Sequence, residues 1–191
     1  MTVEEVSSSE RPLARPGPFV GLAVITALAI IGLAISIARD PGLPAHVSEH
    51  YMRVAGGLVT PTSQVTDAVS LSASLARSAP GAVRVPAIDA SGWKLGGGTH
   101  GELGGRPAAT AIYRNGIGEF LVWHAVDGST GELPPTADVR DLDGRRFFVH
   151  YKATNTLVFW QEGPRLVVIA ASQPGEHVVA VARVAAADAP R

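Results

Sequence analysis

Cysteine is absent from this 191-residue chain, so neither a disulfide framework nor a thiolate metal site can be built, and cysteine usage marks no redox compartment. Lysine is nearly absent: only Lys94 and Lys152 stand among the 16 basic residues. Those residues are scattered and are balanced by 17 acidic ones to a net charge of −1. No basic stripe is available to follow a nucleic-acid backbone, so direct DNA or RNA binding is not expected. No serine sits in a G-x-S-x-G elbow, and no carboxylate pair stands in an apolar setting. The chain is therefore expected to be non-enzymatic, with no small-molecule substrate and no cofactor.

What the chain does contain is a long uncharged run. Residues 19–38 read FVGLAVITALAIIGLAISIA; as a helix this spans roughly 30 Å, the hydrocarbon thickness of a bilayer. Pro16 and Pro18 precede the run, and Arg39, Asp40, Pro41 and Gly42 close it with charge and a helix stop. Ser36 and Ala38 make a small-x-small site of the kind cleaved after a signal peptide. The run is longer, however, than the roughly 7–15 residues of a signal core, and Glu4, Glu5 and Glu10 accompany Arg11 and Arg15 ahead of it. These features favour an uncleaved signal anchor: a single transmembrane helix over residues 19–38. Arg11 and Arg15 are matched by Arg39 and Arg53 beyond the run, so the positive-inside count is a tie. Residues 1–18 are short and polar and are expected to be a disordered cytoplasmic tail. The C-terminal domain is then extracytoplasmic, on a single-pass protein of the inner, cytoplasmic membrane of a bacterium.

Residues 40–80 are expected to hold two membrane-proximal helices. LPAHVSEHYMRVAGG opens with Pro44 in a first turn and closes at Gly56-Gly57, with Val47, Tyr51, Val54 and Ala55 on a buried face. The second helix is expected over residues 64–77, with Val65, Ala68, Val69, Leu71 and Leu75 apolar, before Pro80-Gly81. Residues 81–191 change to strand period. VRV, GWKLGGG, AATAIYR, IGEFLVWHAV, ADVRDL, RRFFVHYKA, TLVFWQ and RLVVIAA are separated by turn residues. Asn115-Gly116 and Asp143-Gly144 suit two-residue hairpins because both dipeptides tolerate positive φ. Residues 153–155 and Glu162-Gly163-Pro164 supply further reversals, and residues 127–136 read as a surface loop. After Pro174, GEHVVAVARVAA fits either a closing helix, with Val178, Val181, Ala182 and Ala185 on one face, or a strand. The expected class is α+β: a transmembrane helix, then a small domain with an antiparallel meander of six or seven strands and two or three helices.

Three motifs invite sharper readings. His46-Val-Ser-Glu49-His50 has the H-x-x-E-H spacing that presents two imidazoles to zinc from one side of a helix. Its short helix, its place beside the anchor and the meander after it argue for a solvent-facing polar side instead. No metal is expected; if one bound, His46 and His50 would be its candidate ligands. Gly96 to Gly101 contains a formal G-x-G-x-x-G, but ELGGRPAA after it cannot start the helix that would receive a pyrophosphate, so a hairpin or bulge is expected. His100, His124, His150 and His177 are interspersed with Trp123, Phe148, Tyr151 and Trp160. If His124 and His150 stood on neighbouring strands they could cup a metal or haem; the favoured expectation is a sheet that packs aromatic residues and carries histidines at its edges.

From about Pro86 onward the order of landmarks is familiar. VPAIDASGWKLGGG, then RPAATAIYRNGIGEFLVW, then NTLVFWQEGPRLVVIAAS resembles the extracytoplasmic domain of bacterial transmembrane anti-sigma factors, the group with a zinc-binding cytoplasmic domain. The resemblance covers about three-quarters of the chain and rests on packing and turn residues. It implies a regulator of transcription whose outer, periplasmic domain senses a condition while a cytoplasmic domain sequesters a sigma factor. The family's His-x-x-x-Cys-x-x-Cys zinc motif has no counterpart in a chain without cysteine. The expected function is thus a membrane-anchored sensory or interaction protein, anti-sigma-factor-like, with a regulatory protein partner. An accessory subunit of a membrane complex, its helix approached at Gly21 and Gly32, and an extracytoplasmic metal-binding protein using histidines are the alternatives.

Overall fold

The computed structural model describes residues 42–77, 83–135, 138–187 and 189; the expected tail and the uncharged run at residues 19–38 lie outside them. Among the described residues no helix is long and apolar enough to cross a membrane. Period-two alternation from residue 94 onward becomes seven strands: β1 Lys94–Leu103, β2 Arg106–Arg114, β3 Phe120–Asp127, β4 Asp138–Leu142, β5 Arg145–Tyr151, β6 Thr156–Glu162 and β7 Arg165–Ala171. Three helices accompany them, α1 Leu43–Ala55, α2 Ala68–Ala76 and α3 Gly175–Ala187. The class is α+β, with one fully antiparallel seven-stranded sheet.

The strand order β1-β2-β3-β7-β6-β5-β4 is not the single meander expected. It is two meanders, β1 to β3 and β4 to β7, joined because β3 pairs with β7. Burial explains the choice. LVWHAV of β3 and LVVIAA of β7 are buried at successive residues, so both faces need cover and both strands belong at the centre. DVRDL of β4 is charged and largely exposed, and it takes the edge, where unpaired backbone meets water.

The sheet separates two apolar layers. One face, with Trp123, Trp160 and Tyr113, packs against α2, α3 and the chain from Val83 to Trp93. The other face, with Ile112, Val122, Phe159 and Val168, packs against α1 through Val47, Tyr51 and Val54. Burying each such valine contributes about 1.5–3 kcal/mol. α3 settles the helix-or-strand alternative. Val178, Val181, Ala182 and Ala185 recur at helical spacing and are buried against β5, β6 and β7, so a helix satisfies the stripe that a strand would split between two faces.

Several local expectations change. α2 begins at Ala68 rather than 64, because the Asp67 carboxylate accepts from the Ser70 amide at 2.8 Å and caps it there. The residues ahead are used otherwise: Ser63 exchanges two backbone hydrogen bonds with Gly98, at 3.0 and 2.9 Å, along the β1 edge. Ala55, expected on the buried face of the first helix, is exposed, as is the apolar Val69 of α2. VRV is not a strand. The Val85 amide donates to Ser72 Oγ at 2.8 Å, Arg84 donates to the Ala185 carbonyl at 2.6 Å, and the Tyr113 hydroxyl holds the Pro86 carbonyl at 2.7 Å. Asp143-Gly144, at φ 53° and 73°, closes a two-residue hairpin as expected. Asn115-Gly116 does not: Asn115 Oδ1 accepts from the Ile117 and Glu119 amides, and this wider loop places its positive φ, 86°, at Gly118. Gly104-Gly105 makes a further two-residue hairpin between β1 and β2.

Candidate functional site

The apolar stripe of α1 determines which way its histidines point. Val47, Tyr51 and Val54 are buried, and positions 47, 50, 51 and 54 form an i, i+3, i+4, i+7 set, so His50 belongs to the same inward side. The expectation of a solvent-facing H-x-x-E-H is therefore corrected. Glu49 alone of the three is exposed. The His50 ring meets His124 of β3 edge to face, with centroids 5.0 Å apart and planes 75° from parallel. His46, one turn earlier, lies over the β1–β2 hairpin; a Cβ on Gly104 would come within 2.8 Å of His46 Cδ2, so that glycine leaves the ring its room.

His124 is fully buried. It is the cross-strand partner of Thr110 on β2, and its Nδ1 lies 2.9 Å from Thr110 Oγ1. His124 Nε2 and His50 Nδ1 are both buried and find no hydrogen-bond partner in the protein. Beside them a cleft of about 330 Å³ opens past Arg53, Thr99, His100 and Glu102. Between His46 and His50 on α1, Ser48 Oγ and Asn155 exchange hydrogen bonds of 3.0 and 3.2 Å, fixing the helix to the β5–β6 turn. On the same face of the sheet lies His150, 7% exposed, edge-on to Phe159 at 5.4 Å, with Nε2 also unpartnered.

His100 lies on the edge strand β1 as expected, but His124 is on a central strand and His150 on β5, inside the edge strand β4, and these two do not occupy neighbouring strands. β7 and β6 separate β3 from β5, so the imagined cup does not exist. His177 is exposed in the first turn of α3, in the opposite layer. Among the described residues no three histidine, aspartate or glutamate side chains gather as a metal site would require. The G-x-G-x-x-G lies within β1, as a bulge. The register shifts between Leu95 and Gly97, and Gly98 packs so closely that a Cβ would reach within 2.6 Å of the Thr110 carbonyl.

No family model, curated protein or solved structure matches this chain. The chemistry of the site must be read from its own geometry. Burial drives the His124 pKa well below its usual value, and the neighbouring His50 adds to the shift. Burial also lowers His50, with Arg53 lowering it further and Glu49 opposing. His150 is lowered by burial and then by Lys152. Burial thus disfavours the charged form of all three imidazoles on the α1 side of the sheet, and each has a buried nitrogen without a hydrogen-bond partner in the protein. Sequence reasoning singled out all three positions but placed His124 and His150 at edges and His50 on a solvent-facing side. The signal it passed over was the i, i+3, i+4, i+7 spacing that makes His50, not Ala55, part of the inward stripe.

Proposed function

We propose that this chain is a membrane-anchored, non-enzymatic sensory or interaction protein, similar in design to the outer part of transmembrane anti-sigma regulators. Residues 19–38 anchor it in the cytoplasmic membrane as a single pass, and the sheet domain stands on the extracytoplasmic side. The observation that carries this reading is the uncharged run itself, twenty residues long and followed within five residues by α1 at Leu43. Support comes from the way α1 is held: the helix next in sequence to the run is packed on the sheet rather than set apart from it, so a change in the domain has a direct covalent route to the anchor. A protein partner in the membrane or beyond it receives that change.

Native membranes carrying the full chain provide the test. Resistance to alkaline extraction, protease access to the domain only from the outer side, and recovery of a specific regulatory protein after mild detergent are the expected results. Release by alkaline wash would overturn the anchor. Recovery of a respiratory or transport complex instead would convert the reading to that of an accessory subunit.

A further inference from the structure

Every buried histidine among the described residues lies on one side of the sheet. His124 and His150 share the face covered by α1, and His50 reaches it from the helix. The opposite layer holds all three tryptophans, Trp93, Trp123 and Trp160, and no buried histidine. The fully buried histidines are therefore confined to one layer, while half-buried His100, whose Nε2 also lacks a partner, lies on the edge strand β1 and exposed His177 on α3.

We propose that α1 is an acid-released latch: proton uptake at the His50–His124 pair frees the helix from the sheet and uncovers the apolar face beneath it. This rests on the reading of the chain as a sensory protein and names its stimulus, the proton. The geometry makes the neutral pair stable and the charged pair unstable. Thr110 Oγ1 can accept from or donate to His124 Nδ1, so it serves either tautomer, but a proton added at Nε2 meets no acceptor. His50 Nδ1 is in the same position. Two imidazolium rings 5.0 Å apart would also repel one another.

The surrounding groups do not cancel this cost. On α1 itself Arg53 disfavours charge on His50, while Glu49 favours it but is exposed. His46 stands one turn away on the same helix. From β1, His100 and the exposed Glu102 line the cleft. β2 contributes the Thr110 hydroxyl, and β6 and β7 contribute Phe159 and Val168, which carry no charge. His150 on β5 faces Lys152, which opposes its protonation. Releasing α1 brings the imidazoles to water, where both nitrogens of each ring are satisfied. The released helix begins five residues beyond Ala38, so the latch is adjacent in sequence to the anchor.

The absence of cysteine makes the test clean. In the full chain in lipid nanodiscs, Met52→Cys on α1 and Ile117→Cys on the β2–β3 turn, both at exposed positions, carry spin labels whose separation is read by pulsed electron resonance. Between pH 7.5 and 5.0 a single distribution is expected to give way to a longer and broader one, with a released-to-docked ratio rising up to tenfold per pH unit for each proton taken up. Tryptophan emission should stay unchanged over that range. His124→Phe should abolish the response; should that variant fail to fold, His50→Gln should make it shallower and move its midpoint to lower pH. A separation that does not change with pH would overturn the latch, as would the same response in His50→Gln, or tryptophan emission that moves together with the labels. The latch and the sensory reading fail separately. A partner recovered at pH 7.5 with a pH-invariant separation removes the latch alone, and an opening latch with no partner recovered removes the sensory reading alone.

Discussion

The two layers of this sheet solve the same packing problem with different materials. Beneath α2 and α3 the sheet presents tryptophan, tyrosine and alanine, and α3 answers with small residues such as Ala182 and Ala185. Half-buried Glu162, paired with Arg145, accepts from Trp160 Nε1, and the one fully buried ionisable group of this layer among the described residues is Tyr113, whose hydroxyl donates to the Pro86 carbonyl. Burial keeps that phenol protonated. Beneath α1 the sheet mixes valine, leucine and phenylalanine with His124 and His150, and the helix adds His50. A layer of the first kind responds to lost volume and ignores pH. The second kind responds to both, because a neutral imidazole in an apolar site stabilises the fold only while it stays neutral.

Removing volume from the first layer should have the largest effect. Trp123 is 1% exposed, and Trp123→Ala is expected to cost about 3–5 kcal/mol by denaturant unfolding, equally at pH 7.5 and pH 6. Acid is next. His124 has a folded pKa below its usual value of 6.5, so below that pH the unfolded chain holds more protons than the folded one. The stabilisation is complete above pH 6.5 and is lost as the pH falls from 6.5 toward the folded pKa, at about 1.4 kcal/mol per pH unit for this one residue. Denaturant midpoints measured through that window should fall in the wild type and flatten in His124→Phe. Asn155 is 4% exposed and ties α1 to the sheet through Ser48. Asn155→Ala should cost about 1–3 kcal/mol and raise amide exchange in α1 more than in β3 or β7. Arg183 pairs with Asp143 at 2.8 Å on the surface of the first layer; Arg183→Ala should change stability by less than about 1 kcal/mol, at any pH from 5 to 8. A pH-dependent cost for Trp123→Ala, or a pH-independent one for His124→Phe, would erase the distinction between the layers.

What was legible in the residues follows the range of the interactions that decide it. Asp143-Gly144 was readable because a two-residue hairpin needs positive φ and those two residues supply it. The strands were readable from period two, and α1 and α2 from their apolar spacing, whereas the valine-rich α3 segment fitted helix or strand until its packing on the sheet decided it. The pairing of β3 with β7 was not, because it joins segments some forty residues apart and is decided by which strands need cover on both faces, a comparison across the whole sheet. Asn115-Gly116 misled for a local reason: the asparagine side chain, not the glycine, shapes that loop. VRV looked like a strand, yet its Val85 amide donates to the Ser72 side chain rather than to a neighbouring strand. The histidine site was half legible. The spacing from Val47 to Val54 includes His50, but treating histidine as a surface residue hid it, and only the register of β2 with β3 brings Thr110 and His124 together beneath it.

The difference between the layers comes down to two helices of equal length, α1 and α3, 13 residues each, on opposite faces of one sheet. Amide hydrogen exchange of the full chain, corrected for the intrinsic pH dependence of exchange and followed by mass spectrometry at pH 7.5 and 5.0, compares them within one molecule. Residues 43–55 are expected to lose protection at the lower pH while residues 175–187 keep theirs. Equal loss in both helices, or protection of residues 43–55 that does not change with pH, would contradict this expectation.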